Sequence, residues 1–267
     1  MSYTSLSPYL DKLLPVRPLT LSRVLGTRAG LMVTGLEREH GLRSFVSDDP
    51  YDLLRIQQIE EKNGFLPLFP TLAPNLGPKT DRLWVALCFH DKIVATGCAV
   101  SLYVPYPQTL AQHFESLDLL YGDPDRARRE GASVNCSASI SHTIRGHITF
   151  VLGMWTHPEW GRRGLARKAC NLVMMMAYSH WLPDWILGLV DEKSSTTLSW
   201  RNPKRPEAGG YLFRHREPEL IIKVPGWEPM VEDLLATSRS QFEADLLGYN
   251  PAALPVEAGK TQPDVLD

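Results

Sequence analysis

One continuous segment in the middle of the chain constrains the fold more than any other part of the sequence. It starts with an apolar run, Ile148 to Trp155, that has the length and character of a strand. A Pro-containing turn and a loop rich in glycine and arginine lead from it into apolar residues at helical spacing from Leu165 onward. In such a strand–loop–helix unit, backbone N–H groups converge at the positive end of the helix dipole. The segment therefore predicts an anion-binding loop suited to a phosphate or pyrophosphate group.

Composition excludes several other classes of protein. The chain has 267 residues, of which 43% are hydrophobic and 22% charged, and its formal net charge of −2 gives no general basic field for nucleic acid. The N-terminus lacks a signal-peptide pattern, no apolar run reaches the length of a membrane span, and the four cysteines form no CxxC pair. We expect a cytoplasmic monomer or homodimer with reduced thiols, without a metal, a nucleic-acid partner or a membrane partner.

Strand patterns lie on both sides of the predicted anion-binding loop. The runs Leu83–Phe89 and Ile93–Val104 predict a hairpin, and Trp185–Val190 predicts a strand that is buried on both faces. Strands that surround one βα unit are typical of an α/β or α+β sheet protein. The other predicted elements are a strand over Leu42–Val46, helices over Tyr51–Asn63 and Gln108–Leu120, a charged loop over Asp123–Gly131, a hairpin of Cys136–Ile144 with His147–Trp155, a strand pair of Tyr211–Arg214 with Leu220–Val224, and a terminal helix over Met230–Leu247.

The loop and its flanks resemble a known family. Gly161-Arg162-Arg163-Gly164-Leu165-Ala166 is similar to the Arg/Gln-x-x-Gly-x-Gly/Ala motif of the GCN5-related N-acetyltransferase (GNAT) superfamily, and it matches at Gly164 and Ala166. It departs at Gly161, where the family has Arg or Gln. The preceding Thr156-His157-Pro158-Glu159-Trp160 resembles the family's Val-x-Pro-x-Tyr. The resemblance covers about half of the chain.

The resemblance implies a fold and a cofactor. The fold is a mixed, mainly antiparallel central sheet with flanking helices and a splayed acyl-CoA cleft, and the cofactor is acetyl-CoA as acyl donor. The domains would be an N-terminal arm over 1–40, a GNAT-like acyltransferase domain over 41–227, a C-terminal helix over 228–249 and a flexible tail over 250–267. The backbone of one strand end would pair with the pantetheine arm, and the amides of the loop would hold the pyrophosphate. These cofactor-binding residues are Met154, Trp155, Thr156, Arg162, Arg163, Gly164, Leu165, Ala166 and Arg167.

Catalytic residues are harder to assign. Transfer to an amine needs a base for the amine and an acid for the leaving thiolate. The strand that enters the loop carries no carboxylate, so the base candidates are Asp191 and Glu192, and we predict Glu192. For the acid we predict Tyr211, the nearest phenol. Ser194 and Ser195 are hydroxyl alternatives for the acid, and His157, beside the loop, is an alternative base.

The expected function is acyl-CoA-dependent N-acyl transfer, with acetyl transfer from acetyl-CoA to an amine by direct attack as the favoured form. Transfer of a longer acyl group is the alternative among enzymes. A catalytically silent acyl-CoA sensor or interaction module is the alternative of another class, because the strand-borne glutamate and the helix-borne tyrosine of the family are both missing.

Overall fold

The computed structural model describes residues 4–5, 19–48, 82–121, 123–191, 215–226 and 228–247. In these ranges nine strands form one sheet in the order β1-β2-β3-β4-β6-β7-β9-β8-β5, and only β6 and β7 run parallel. The predicted fold class, a mixed and mainly antiparallel sheet with flanking helices, is confirmed. The strands are β1 (Thr4–Ser5), β2 (Leu42–Ser47), β3 (Arg82–Phe89), β4 (Lys92–Val104), β5 (Ser133–Cys136), β6 (Gly146–Thr156), β7 (Trp185–Asp191), β8 (His215–Lys223) and β9 (Met230–Ser238).

Helices cover both faces of the sheet. The first face packs against α1, α4 and α5, and we call the apolar cluster beneath them the α4-side core. The opposite face packs against α2 and α3, over a cluster that we call the α2-side core. None of the helices in the described ranges is both long and apolar enough to span a membrane. The helices are α1 (Leu19–His40), α2 (Leu110–Glu115), α3 (Pro124–Arg129), α4 (Leu165–Trp181) and α5 (Arg239–Leu247).

Helix α4 is the predicted helix after the glycine-rich loop. Its apolar stripe is buried as expected, but burial extends nearly all around the helix, including Met174, Met175 and Met176. A helix that is apolar on every side needs cover on every side. Helix α1 supplies that cover through Leu25 and Leu36, which belong to the same core. The helix is therefore fixed in place, and only its first turn and its end at His180 and Trp181 border solvent.

Three predictions in the first half of the chain differ from the structure. The sequence predicts an arm over residues 1–40, yet α1 occupies 22 residues of this range. The charged loop predicted over Asp123–Gly131 contains α3, in which the Asp123 carboxylate accepts from the Arg126 N–H at 2.8 Å and Pro124 takes the first helical position. This is ordinary helix-start chemistry, and the density of charges concealed it. Helix α2 is also shorter than the range predicted for it.

The predicted second hairpin is wrong. Strand β5 pairs with β8, placing Val134 opposite Ile222, while Ser139–His142 forms a turn of 3-10 helix. Pairing between residues so far apart in sequence leaves no local pattern, because the alternation of side chains in a strand fits any partner. Strand β8, which includes the predicted strand Leu220–Val224 up to Lys223, has β9 and β5 as its partners.

The first half of the predicted terminal helix is a strand. Met230, Leu234 and Leu235 stand at helical spacing, but β9 occupies Met230–Ser238 and only α5 is helical. The strand is buried from its third residue because it lies between β7 and β8. Helix α5 then begins with a side-chain cap, in which Gln241 Oε1 accepts from the Ser238 N–H at 3.0 Å. The predicted helix over residues 51–63 and the predicted strand over 211–214 lie outside the described residues.

Candidate functional site

The two parallel strands in the middle of the sheet separate towards their carboxyl ends. Their last paired residues are Val151 and Gly188, although β6 continues to Thr156 and β7 to Asp191. Past this point each strand keeps its other neighbour, since β6 stays paired with β4 and β7 with β9. A cleft thus opens between β6 and β7, and no strand in the described ranges fills it.

A β-bulge reshapes β6 within the cleft. Between the pairs Cys98↔Leu152 and Thr96↔Trp155, two residues of β6 oppose one residue of β4. Gly153 adopts a φ of +64°, and its carbonyl accepts a hydrogen bond from the Thr96 hydroxyl at 2.9 Å. An extra residue reverses the alternation of side chains. Leu152 accordingly faces the α2-side core, whereas Met154 packs against the α4-side core.

The backbone of β6 beyond the bulge presents hydrogen-bonding groups to the cleft. The His157 N–H donates to the Val94 carbonyl at 2.8 Å, which makes His157 and Val94 a hydrogen-bonded pair of the ladder with β4. Hydrogen-bonded pairs alternate along an antiparallel ladder, which turns the N–H and C=O of Thr156 and Met154 away from β4. The hydroxyl of Thr156 is also buried without a hydrogen-bond partner in the described part of the chain. An extended ligand with amide groups would satisfy such an edge.

The turn that follows β6 is held by its histidine. The His157 side chain is 5% exposed, accepts from the Glu159 N–H through Nδ1 at 3.3 Å, and contacts the Trp155 ring with centroids 5.9 Å apart. It thereby caps the short 3-10 turn Pro158–Trp160. This histidine shapes the entrance to the loop.

The glycine-rich loop places the first N–H groups of α4, which have no partner within the helix, beside the cleft. Gly164 is the N-cap of α4 with a φ of +69°, and no side chain in the described ranges caps the helix. The first helical bond is donated by the Lys168 N–H to the Gly164 carbonyl at 3.0 Å. The N–H groups of Leu165, Ala166 and Arg167 precede that bond and have no acceptor within the helix. Arg162 also adopts a positive φ of 64°, so the chain doubles back and its amides converge.

The basic side chains of the loop differ in their attachments. The Arg163 guanidinium lies 4.4 Å from the Trp160 ring centroid, and the exposed Arg162 extends into solvent. Lys168 binds the Glu39 carboxylate of α1 at 3.2 Å, and this hydrogen bond together with the positive charge lowers the pKa of Glu39. Positive charge therefore gathers beside the uncapped helix start, where it favours an anion.

The predicted cofactor-binding residues come together, because β6 leads directly into the loop and α4. Met154, Trp155 and Thr156 line the strand end, and residues 162–167 form the loop and the first helical turn. Of the predicted catalytic residues, Asp191 is exposed as the last residue of β7. Glu192, Ser194, Ser195 and Tyr211 lie outside the described residues, so their roles stay predictions.

One acidic residue of the cleft was missed by sequence reasoning. Glu232 lies on β9 directly opposite Asp191 and is only 6% exposed. Burial, and then the negative charges of Asp191 and Asp233, raise the pKa of Glu232 to about 7. As part of a helix it would have been an ordinary solvated carboxylate. The signal that could have found it is the turn dipeptide Pro225-Gly226 shortly before an apolar run.

Burial keeps the thiols of at least two cysteines, Cys88 and Cys170, in the protonated form. All four are buried and reduced. Burial raises the pKa of Cys88 to about 11 and that of Cys170 to about 12, so neither thiol ionises near neutral pH. No group of three or more His, Cys, Asp or Glu side chains in the described ranges has the arrangement of a metal site.

Comparison with known proteins gives only distant likenesses. No family model and no curated protein matches the sequence. Among solved structures, FeeM, an N-acyl amino acid synthase from uncultured soil microbes, is 12% identical over 75% of this chain and 92% of its own, with a TM-score of 0.43. Arabidopsis thaliana NAA60 in complex with a bisubstrate analogue is 14% identical over 73% and 97%, with a TM-score of 0.43. Its complex with acetyl-CoA is 16% identical over 73% and 98%, with a TM-score of 0.42. These likenesses are too distant to assign a function to the site.

Proposed function

We propose that the protein is an acyl-CoA-dependent N-acyltransferase that transfers an acetyl group from acetyl-CoA to an amine by direct attack. The proposal rests on one observation: an open strand edge and an uncapped helix start follow each other closely along the chain. The open edge of β6 at Met154 and Thr156 leads, within ten residues, to the uncapped start of α4 at Gly164. A ligand that fits both must combine an amide-bearing arm with a phosphate group, and CoA does so.

The residues of the site fit this cofactor. The N–H and C=O groups of Met154 and Thr156 would pair with the amides of the pantetheine arm as an added strand. The N–H groups of residues 162–167 would hold the pyrophosphate, with additional charge from Arg162 and Arg163. When bound, acetyl-CoA supplies an activated acyl group as a thioester. The departure from the family motif at Gly161 has little consequence in this scheme, because the backbone makes the contacts.

Direct attack, without an acyl-enzyme, is the mechanism that the buried thiols favour. The amine must then be neutral when it attacks, so a nearby base assists the reaction. Glu192 remains our proposed base and Tyr211 our proposed acid, and Asp191 stands at the end of the cleft from which a base could reach the amine. Good positioning of the amine alone supplies a large part of the rate.

A catalytically silent acyl-CoA sensor is the second candidate. The observation in its favour is that β6, from Gly146 to Thr156, carries no carboxylate at all. Transfer of a longer acyl chain is less favoured, because the flexible Met174–Met176 run that could adapt to one is part of the α4-side core. We also keep a cytoplasmic location and a monomer or homodimer as proposals.

Calorimetric titration with acetyl-CoA tests the binding step. We expect micromolar-range affinity and its loss in Gly164→Glu, because the new carboxylate would occupy the anion site and repel the pyrophosphate. Gly131→Glu is the matched control, since Gly131 also has a positive φ, of 97°, and open space around it. It should bind acetyl-CoA like the wild type. Absence of heat with the wild type would overturn the proposal.

Release of free thiol from acetyl-CoA across a panel of amines separates enzyme from sensor. An enzyme releases thiol faster with at least one amine than with water alone. A protein that binds acetyl-CoA tightly yet never accelerates thiol release is a sensor. The same assay with Glu192→Gln, which keeps shape and removes charge, should show a lower kcat at unchanged acetyl-CoA affinity.

A further inference from the structure

Glu232 lies level with the end of β7, beyond the point where β6 and β7 separate. The ladder between β7 and β9 runs on to the pair Asp191↔Glu232, while the pairing of β7 with β6 stops at Gly188. At about 3.3 Å per residue, Asp191 lies about 10 Å beyond the last pair. Asp191 thus stands at the open end of the cleft on the wall opposite β6, and Glu232 lies beside it, one strand further from the cleft on β9.

The same end carries an aromatic ring on the other wall. Residues directly opposite each other in a ladder share a face, so Asp191 and Glu232 lie on the face of their neighbours Leu189 and Leu234, which contact the α2-side core. Met154 faces the α4-side core, and alternation therefore turns Trp155 to the α2 side. Trp155, Asp191 and Glu232 therefore lie on the same face of the sheet, near the open end of the cleft.

No basic residue lies directly opposite Glu232 on either neighbouring strand. Its two cross-strand partners are Asp191 on β7 and Leu220 on β8, and the side chain is buried, with only 6% exposed. Burying a carboxylate is unfavourable, and a second carboxylate beside it makes this worse. Such an arrangement is complementary to a positively charged ligand, and a Trp face adds cation–π attraction.

The cation that fits is organic. The described residues contain no group of three metal-ligating side chains, and Asp233 follows Glu232 in the strand, which places it on the opposite face of the sheet. An alkylammonium ion can be bound by fewer groups than a metal ion, for example by one or two carboxylates and an aromatic ring. Resting on the proposed function, we propose that Glu232, with Asp191, forms the anionic wall of an acceptor site that selects amines carrying a positive charge.

Calorimetry with 1,4-diaminobutane tests this proposal on the full chain, both alone and saturated with CoA, which cannot react. The wild type should bind the diamine, and Glu232→Gln should bind it at least ten-fold more weakly while keeping its affinity for acetyl-CoA. Glu228→Gln is the control, because Glu228 is an exposed carboxylate four residues earlier and its removal changes net charge equally. Glu232→Asp, which keeps the charge, should restore part of the affinity.

The outcomes separate the two proposals. Equal diamine affinity in the wild type and Glu232→Gln, or no diamine binding by the wild type, overturns the acceptor site whatever acetyl-CoA does. Loss of diamine affinity in Glu228→Gln as large as in Glu232→Gln also overturns it, because the attraction would then be unspecific. Failure of acetyl-CoA to bind overturns the proposed function alone, and the titrations without CoA still report on Glu232. In turnover assays the KM for alkylamines should rise in Glu232→Gln, and the KM for aniline, which is neutral, should not change.

Discussion

The two walls of the cleft are built in different ways. The β6 wall consists of consecutive residues, and its useful groups are backbone amides at Thr156 and at the start of α4. The β7 wall joins Asp191 to Glu232, which are far apart in sequence, and its useful groups are side-chain carboxylates. Under the proposed function, the backbone groups would recognise what all acyl-CoA molecules share, and the side chains would discriminate between acceptors. One wall can thus suit a whole class of cofactors, while the other is suited to select among acceptor molecules.

The largest expected effect concerns the direction of the backbone in the β6 wall. Trp155→Pro removes an N–H that the ladder alternation directs to β4, together with a buried indole, and should lower the free energy of unfolding by about 3 kcal/mol or more. Thr156→Pro removes an N–H directed to the cleft, so it should cost far less stability but weaken acetyl-CoA binding about ten-fold. Urea denaturation and calorimetry on both variants check this. The reverse order of stability losses would mean that the edge facing the cleft is misassigned.

A second prediction concerns the packing of α4 against the bulge at Gly97. A Cβ on Gly97 would lie 3.1 Å from the Met154 sulfur and 3.3 Å from the Ala169 carbonyl of α4. Met154 can move aside, but the helix backbone cannot, so Gly97→Val should lower the free energy of unfolding by about 1–3 kcal/mol. Gly26→Val, in a helix at a site with no atom within 4 Å of the added Cβ, is the control for the larger side chain. If the two variants lose equal stability, α4 does not press on the bulge.

The buried carboxylate of the β7 wall should make the stability of the protein depend on pH. The pKa of Glu232 is about 7 in the folded protein, against an ordinary value of 4.5 for a solvated glutamate, so the native state holds this proton more tightly than the unfolded chain. Stability from this group is therefore highest below pH 4.5, falls as pH rises towards 7, and stays low above. Glu232→Gln should be about 2–3 kcal/mol more stable than wild type at pH 8 and nearly equal to it at pH 4. Urea denaturation at both pH values measures this.

Glu228→Gln supplies the baseline for that measurement, because its exposed carboxylate should give no difference between pH 8 and pH 4. A gain from Glu232→Gln that is the same at both pH values would show that packing, not charge, is responsible. A gain in stability combined with weaker diamine binding is the pattern expected of a residue retained for binding.

The same contrast explains how far the sequence predicted the structure. The strand, loop and helix around Gly164 were predicted with nearly their observed bounds, because hydrophobic period, glycine and helix-start chemistry act over neighbouring residues. Glu232 was misplaced because helical spacing in Met230–Leu247 competes with a strand that only its partners on both sides can specify. Helix α1 was missed for a related reason, since its buried face becomes apparent only against α4. Local signals predicted the β6 wall, and tertiary pairing determined the β7 wall.

The smallest expected effect lies at the junction between α1 and the loop. The exposed pair Lys168–Glu39, at 3.2 Å, contributes to the electric field at the loop and little to stability. Glu39→Gln frees the Lys168 charge and should tighten acetyl-CoA binding about two-fold, whereas Lys168→Met should weaken it by a similar factor. Both effects should fade as salt is raised to about 0.5 M, because the pair is open to solvent. Calorimetry at two salt concentrations checks the signs. If both variants weaken binding, the pair positions α4 mechanically, and the charge of the β6 wall matters less than its backbone.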